Sequence, residues 1–343
     1  MRCISRAKSA ALVCVASISL FTGGCIGGKG ATPVTAYELK NYNQDLYQGK
    51  LYAEELCVAQ NDVALEGYTE DTELHSAALF DLTGERVLYS YKAHERLYPA
   101  STTKIMTALL AIENANLDDQ VTISGNADAS SFSADAQVCG LAKGEVWTLR
   151  DLLGALLLYS GNDAATAIAE YVGGSEEAFV NMMNRRAQEL MANGTHFMNP
   201  HGLHDDNHYT TAYDLYLIFN ECIKHEDFVN IIQSEAYTAY YTDVDGNSQE
   251  ALFTPTNLYA QGEVDVPENV TIVGGKTGTT DEAGYCLILM EKDSSDNPYI
   301  SIVMGASEKP VLYEDMTSLI EAIPSGQQRS EERRVGKECR SRW

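Results

Sequence analysis

From residue 75 onward, apolar positions follow two rhythms. The first is strand-like. Ser76–Asp81 is almost continuously apolar, Thr83-Gly84 supplies a turn, and Arg86–Tyr91 returns as a partner strand. The second is helical. In Thr102–Glu113, Ile105, Met106, Leu109 and Leu110 fall on one face, and Pro99 stands just before the start. Thr148–Ala169 is a further helical stretch; its inward run Leu152–Leu158 is broken at Ser160-Gly161-Asn162. Ser175 reads as an N-cap, with Glu176 and Glu177 in the first turn of a helix ending near Ala192 and Asn193-Gly194. Thr211–Cys222 is helical again. The strand rhythm then resumes: a hairpin at Tyr237–Thr242 turning on Asp245-Gly246, strands at Val270–Lys276, Cys286–Glu291 and Tyr299–Gly305, and a closing helix over Asp315–Ile323. Residues 121–147 show little periodicity. Strands at both ends with helices between predict an α+β domain over 73–323, its sheet assembled from chain ends that meet in space.

The ends of the chain have a different character. Arg2, Arg6 and Lys8 precede the apolar run Ala10–Phe21, then Thr22-Gly23-Gly24-Cys25. A basic start, a short apolar core and small residues predict an export signal over 1–24; the run falls short of the roughly 20 apolar residues that span a bilayer. Small residues before Cys25 resemble the bacterial lipoprotein signal, although Thr22 replaces the usual leucine. Cys25 is therefore expected to carry lipid and anchor the chain to the outer face of the cytoplasmic membrane, with secretion or a periplasmic location as the alternative. Residues 25–72 read as a tether and lead-in that opens on Gly27-Gly28-Lys29-Gly30. Residues 329–343, RSEERRVGKECRSRW, are abruptly basic and resemble translated sequencing-adapter read-through, so this tail is expected to be non-native.

Charge narrows the partners. The net formal charge is −25, and between Cys25 and Gln328 only 15 Lys and Arg face 46 Asp and Glu. Such a surface repels nucleic acid and anionic headgroups. Cys57, Cys139, Cys222 and Cys286 are dispersed without a C-x-x-C spacing, which suits small buried side chains better than a zinc ribbon or redox pair.

Three short strings bear on chemistry: Ser101-Thr102-Thr103-Lys104, Ser160-Gly161-Asn162 and Lys276-Thr277-Gly278. Each alone is common. In this order and element context they supply a serine nucleophile, proton carriers and an anion-binding strand. Lys104 lies one helical turn from Ser101, on the same face. It can accept a proton only as a neutral amine. Burial near a second cation, with Lys276 as the candidate, favours that form. The helix start at Ser101 adds free N–H groups.

With these strings the chain resembles the D-alanyl-D-alanine carboxypeptidases, the low-molecular-mass penicillin-binding proteins. The likeness runs from about His75 to Ile323. It includes Pro99-Ala100, Gly161-Asn162-Asp163-Ala164-Ala165, Asn199-Pro200-His201-Gly202-Leu203, Tyr209-Thr210-Thr211-Ala212 and Gly284-Tyr285. The resemblance implies a serine β-lactamase-like fold, an antiparallel sheet flanked by helices with a helical subdomain and the site between them. It implies that Ser101 attacks the penultimate D-alanine carbonyl of a peptidoglycan stem peptide, with Lys104 as base. Ser160 would relay a proton to the leaving amine, and Asn162 would hold Lys104 and the substrate amide. Lys276 and Thr277 would take the terminal carboxylate, and Gly278 would let substrate lie along the strand. Backbone N–H groups of Ser101 and Thr279 would form the oxyanion hole. β-Lactams would acylate Ser101. No cofactor and no metal are called for.

Two departures stand out. Some relatives use a late arginine for the carboxylate; here no arginine lies between Arg186 and Arg329, leaving Lys276, Thr277 and Lys309. Many relatives also have a second β-rich domain and a C-terminal amphipathic anchor, neither of which is expected within these residues, whether by nature or by truncation. Three other readings compete. A class A-like β-lactamase would need a water-activating glutamate; Glu189–Asn193 gives an E-x-x-x-N string, but inside a helix with its own amphipathic pattern, where it reads as a solvated face. A zinc peptidase would draw on His196, His201, His204, His208, Asp205 and Asp206, whose spacing matches no helical metal motif. A non-catalytic cell-wall-binding lipoprotein would use the chain's 20 tyrosines.

Overall fold

The computed structural model describes residues 55–65 and 75–324. The export signal, Cys25, most of the lead-in and the basic tail lie outside the described residues.

The elements follow the sequence rhythm. Strands β1 (Ser76–Asp81) and β2 (Arg86–Tyr91) lead to a 3₁₀ turn, Ala100–Thr103, that runs into helix α1 (Lys104–Asn114). Short strands β3 (Gln120–Thr122) and β4 (Val146–Thr148) bracket the aperiodic segment and precede α2 (Leu149–Gly154). Next come α3 (Asn162–Gly173), α4 (Glu176–Glu189), α5 (Ala212–Cys222) and α6 (Glu226–Ile232). The chain ends in strands β5 (Tyr237–Thr242) and β6 (Ser248–Phe253), helix α7 (Leu258–Gln261), strands β7 (Val270–Thr280), β8 (Gly284–Asp293) and β9 (Pro298–Ala306), and helix α8 (Lys309–Glu321).

The main sheet has the order β2-β1-β9-β8-β7, antiparallel throughout. Strands from the two ends of the domain do meet: Ala78 sits opposite Ile302 in the β1–β9 pair. One face carries Ala77, Leu79, Leu287, Leu289 and Val303 against Met316, Leu319 and Ile320 of α8. The other carries Ala78, Phe80, Ile288, Ile300 and Ile302 into a larger core shared with α1 and α5. Alternation along each strand thus separates two cores, one on either side of the sheet. A second sheet, β3-β4-β5-β6, belongs to the helical half, where Trp147 stacks on Tyr241 at 4.2 Å. The packed body also reaches back before the predicted start of the domain: Cys57 is fully buried, its N–H donating to the Tyr216 hydroxyl at 2.9 Å.

Several boundaries differ from expectation, two of them beside the cleft. Helix α8 begins at Lys309, six residues before the predicted Asp315, because Pro310 sits in the first turn, where its missing N–H costs nothing. β7 continues past Lys276 to Thr280, since its pairing with β8 persists through Thr277, Gly278 and Thr279.

Candidate active site

β7 is the edge strand of the main sheet, so its outer side faces a cleft rather than another strand. The Ala100–Thr103 turn lies against this edge at Gly278. A Cβ there would sit 2.9 Å from the Pro99 carbonyl oxygen and 3.0 Å from the Ser101 nitrogen, so only glycine permits the approach. Ala100, just before the nucleophile candidate, is in the left-handed region at φ 46°. Ser160 is too, at φ 72°, where a π-type turn over Ala155–Tyr159 gives way to α3. Such non-glycine positions cost roughly 1–3 kcal/mol each and persist only where surrounding contacts enforce them.

All three strings converge. Lys104 is fully buried, and its Nζ has three neighbours: Ser101 Oγ at 2.9 Å, Asn162 Oδ1 at 2.7 Å and the His201 carbonyl oxygen at 2.7 Å. Burial holds its pKa well below the ordinary lysine value, and the nearby Lys276 adds to this. A neutral amine has two N–H bonds and one lone pair. Asn162 Oδ1 and His201 O can only accept, so they take the two N–H groups. The lone pair is then left facing the Ser101 hydroxyl, the geometry of a general base.

Lys276 is also buried. Its Nζ lies 2.9 Å from Ser160 Oγ and 2.9 Å from the Thr277 carbonyl oxygen. Burial brings its pKa down to about 7, so this amine exchanges protons near neutral pH. The Thr277 hydroxyl is shared with that of Thr256 at 2.5 Å. The cleft, about 660 Å³, is lined by Ser101, Ser160, Asn162, Thr277, Gly278 and Thr279 among others. Lys309 lines it as well, at the start of α8.

The site also depends on residues that sequence reasoning did not assign. The carboxylate of Asp163, fully buried, accepts N–H groups from Cys139, Gly140, Leu141 and its own neighbour Ala164, at 2.9–3.1 Å. It thereby pins the 137–141 wall to the start of α3, where the Asn162 N–H donates to the Gln137 carbonyl. The loop 199–204 presses on the nucleophile turn from the other side. Gly202, at φ 88°, is so close that a Cβ would lie 1.9 Å from the Ala100 carbonyl oxygen. The segment Asn-Pro-His-Gly-Leu was visible in the sequence, but nothing in it signals that a backbone carbonyl would serve Lys104.

Among the described residues the competing constellations form no metal-like cluster at the cleft, although His204 lines it, 3.4 Å from Asp206 and 3.9 Å from Glu282. Glu189 is half exposed at the end of α4, 3.5 Å from the Arg186 guanidinium. The histidines of the 196–208 loop are engaged separately: His196 Nδ1 with the Asn207 carbonyl, His201 Nδ1 with the Leu203 N–H, His208 Nε2 with Thr103. A cluster of Glu113, Glu221 and His225 has metal-like spacing, but both carboxylates already flank Arg186, at 2.6 and 3.1 Å.

The arrangement has known counterparts. A family model described as D-alanyl-D-alanine carboxypeptidase matches residues 64–308. The chain is 36% identical over 240 residues to the D-alanyl-D-alanine carboxypeptidase DacF of Bacillus subtilis, covering 68% of this chain and 58% of the relative. It is 31% identical over 249 residues to the D-alanyl-D-alanine carboxypeptidase DacC of Escherichia coli, covering 71% and 59%. The chain thus spans about three fifths of the length of these curated relatives. The crystal structure of the Streptomyces K15 DD-transpeptidase superposes with a TM-score of 0.68 at 28% identity, covering 74% of this chain and 98% of that one. The sheet, the helices around it and the three converging strings agree with these matches, and the chain belongs to the D-alanyl-D-alanine carboxypeptidase family.

Proposed function

We propose that this chain is a serine-type D-Ala-D-Ala carboxypeptidase that removes the terminal D-alanine from peptidoglycan stem peptides. The observation that carries this reading is the buried Lys104 Nζ, set 2.9 Å from Ser101 Oγ and held by Asn162 Oδ1 and the His201 carbonyl oxygen, so that in its neutral form the lone pair is free for the Ser101 proton. Ser101 Oγ attacks the penultimate D-alanine carbonyl and passes its proton to Lys104. The oxyanion forms between the backbone N–H groups of Ser101 and Thr279. When the C–N bond breaks, the departing amine takes the Ser160 proton, which Lys276 replaces across the 2.9 Å bond between them. Water then enters along the amine's path. Its proton goes to Ser160 and on to Lys276 as hydroxide adds to the acyl carbon. Ser101 leaves and recovers its proton from Lys104, which restores both lysines. Thr277 and Lys309, which line the cleft, receive the substrate carboxylate, with the buried Lys276 amine behind Ser160 adding positive charge. A β-lactam, which places a carboxylate and a strained amide at similar separation, is attacked in the same way and stays on Ser101.

The test is release of D-alanine from a peptide ending in D-Ala-D-Ala by purified protein, beside Ser101→Ala. Release of D-alanine in excess of enzyme that Ser101→Ala abolishes supports the reading. Penicillin labelling without release points instead to the silent wall-binding alternative, and high turnover of a chromogenic cephalosporin points to a β-lactamase.

For location, we propose a lipid on Cys25 that holds the domain at the outer face of the cytoplasmic membrane. The Thr22-Gly23-Gly24-Cys25 sequence supports it. Labelled fatty acid should enter the wild-type protein and not Cys25→Ala.

A further inference from the structure

His208 is buried and has no part in the proton transfers above. Its Nδ1 accepts the Met198 N–H at 3.2 Å, so Nδ1 is bare and the ring proton sits on Nε2. Nε2 faces Thr103 Oγ1 at 2.8 Å and donates to it. Phe197 packs edge-on against the ring at 5.6 Å. Burial brings the His208 pKa down to about 4; Asp205 opposes this, while His196, His204 and Lys104 add to it. The ring is therefore neutral through the working range and keeps this tautomer.

Thr103 closes the turn that carries Ser101 and immediately precedes Lys104. The segment that holds His208 also supplies His201 O to Lys104 and Pro200 O to the Thr107 hydroxyl, at 2.6 Å. One loop thus grips the nucleophile helix at Thr103, Lys104 and Thr107. On the loop side, only the grip at Thr103 comes from a side chain; the other two come from backbone carbonyls. We infer that His208 is a positioning residue. By donating to Thr103 it holds the turn in register with the loop, so that the His201 carbonyl meets one Lys104 N–H while the lone pair faces Ser101. Without it the amine turns and hydrates, its proton affinity rises, and the base is lost. This inference rests on the role given to Lys104 above.

The test measures acylation of Ser101 by benzylpenicillin across pH in wild type, His208→Leu, His208→Gln and Thr103→Val, with melting temperature recorded for each. His208→Leu fills the volume but donates nothing. It should slow the limiting acylation rate by roughly ten- to a hundred-fold while changing half-saturation by less than about twofold. Its acid limb should move to higher pH, a shift that loosened packing alone would not produce. His208→Gln, which keeps an N–H near Nε2, should recover most of the rate. Thr103→Val should reproduce the pH shift, and the Leu–Val double variant should be no slower than the slower single one. Wild-type acylation rates and an unmoved acid limb in both His208→Leu and Thr103→Val would overturn the inference. So would a loss in His208→Leu that tracks only the unfolded fraction while Thr103→Val stays at the wild-type rate. If the wild-type protein is not acylated at all, the fault lies with the proposed function and not with His208.

Discussion

Replacing Lys276 by methionine should separate stability from function. The wild-type amine is fully buried, and its pKa falls from 10.5 to about 7. Between these values the unfolded chain holds a proton that the folded one lacks, so stability rises with pH across the window. Above 10.5 the penalty is absent; below about 7 it is present in full. A shift of this size corresponds to about 5 kcal/mol at 1.36 kcal/mol per pH unit. Methionine removes the penalty but also the bonds to Ser160 Oγ and the Thr277 carbonyl, each worth about 1 kcal/mol. At pH 6, Lys276→Met should therefore be more stable than wild type by about 3 kcal/mol. At pH 10.5 it should be less stable by about 2 kcal/mol. Lys104 does not spoil the comparison. Losing the neighbouring cation raises its pKa, which further flattens the variant's pH dependence in the same direction. Urea unfolding of both proteins at the two pH values reads the difference directly. D-alanine release should be lost throughout. A stability difference of one sign and size at both pH values would refute the claim that Lys276 is buried at a cost for its role in the cleft.

Other perturbations probe the surroundings. Gly202→Ala places a methyl group 1.9 Å from the Ala100 carbonyl at a φ that disfavours alanine, and withdraws His201 O from Lys104. Acylation should fall by roughly a hundredfold, with a clear drop in melting temperature. Asp163→Ala orphans four backbone N–H groups and frees the cleft wall; chemical denaturation should show a loss of about 3 kcal/mol or more. Glu291 is fully buried on the α8 side of the sheet, and burial raises its pKa well above 4.5. Its folded form keeps a proton that the unfolded chain gives up above pH 4.5, so its presence erodes stability as pH rises. Glu291→Gln should leave stability near pH 4 unchanged and raise it by about 1–3 kcal/mol at pH 8, as a thermal melt series would show.

Much of this fold was legible because its strands and helices state their period locally. β1, β2, the hairpin strand β5 and α5 fall where alternation and capping predict. Ser175 caps α4 through the Ala178 N–H. What could not be read is what depends on distant partners. β3 and β4 are three-residue strands that pair with each other, and β4 takes its other neighbour, β5, from some ninety residues later. α6 has apolar Phe228, Ile231 and Ile232 in one short turn, too little for a periodic signal. At the site the same division holds. Ser101, Lys104, Ser160, Asn162, Lys276, Thr277 and Gly278 carry side-chain chemistry or a required glycine in recognisable strings, and the fold brings them together. The groups that tune them are a backbone carbonyl, an Asp163 cradle built from main-chain N–H groups, and a histidine in a loop whose residue types, not their spacing, raised a zinc reading. None announces its partner in sequence.

The central claim is that a neutral Lys104 takes the proton of Ser101. It is tested most directly by intact-mass and peptide-mapping measurement of benzylpenicillin acylation against time, in wild type and Lys104→Met. A single adduct should form on Ser101 in the wild-type protein, at a rate about 10²–10⁴-fold higher than in the variant, whose buried methionine leaves the fold intact. An adduct on another residue, or a Lys104→Met protein that acylates Ser101 at the wild-type rate, would contradict it.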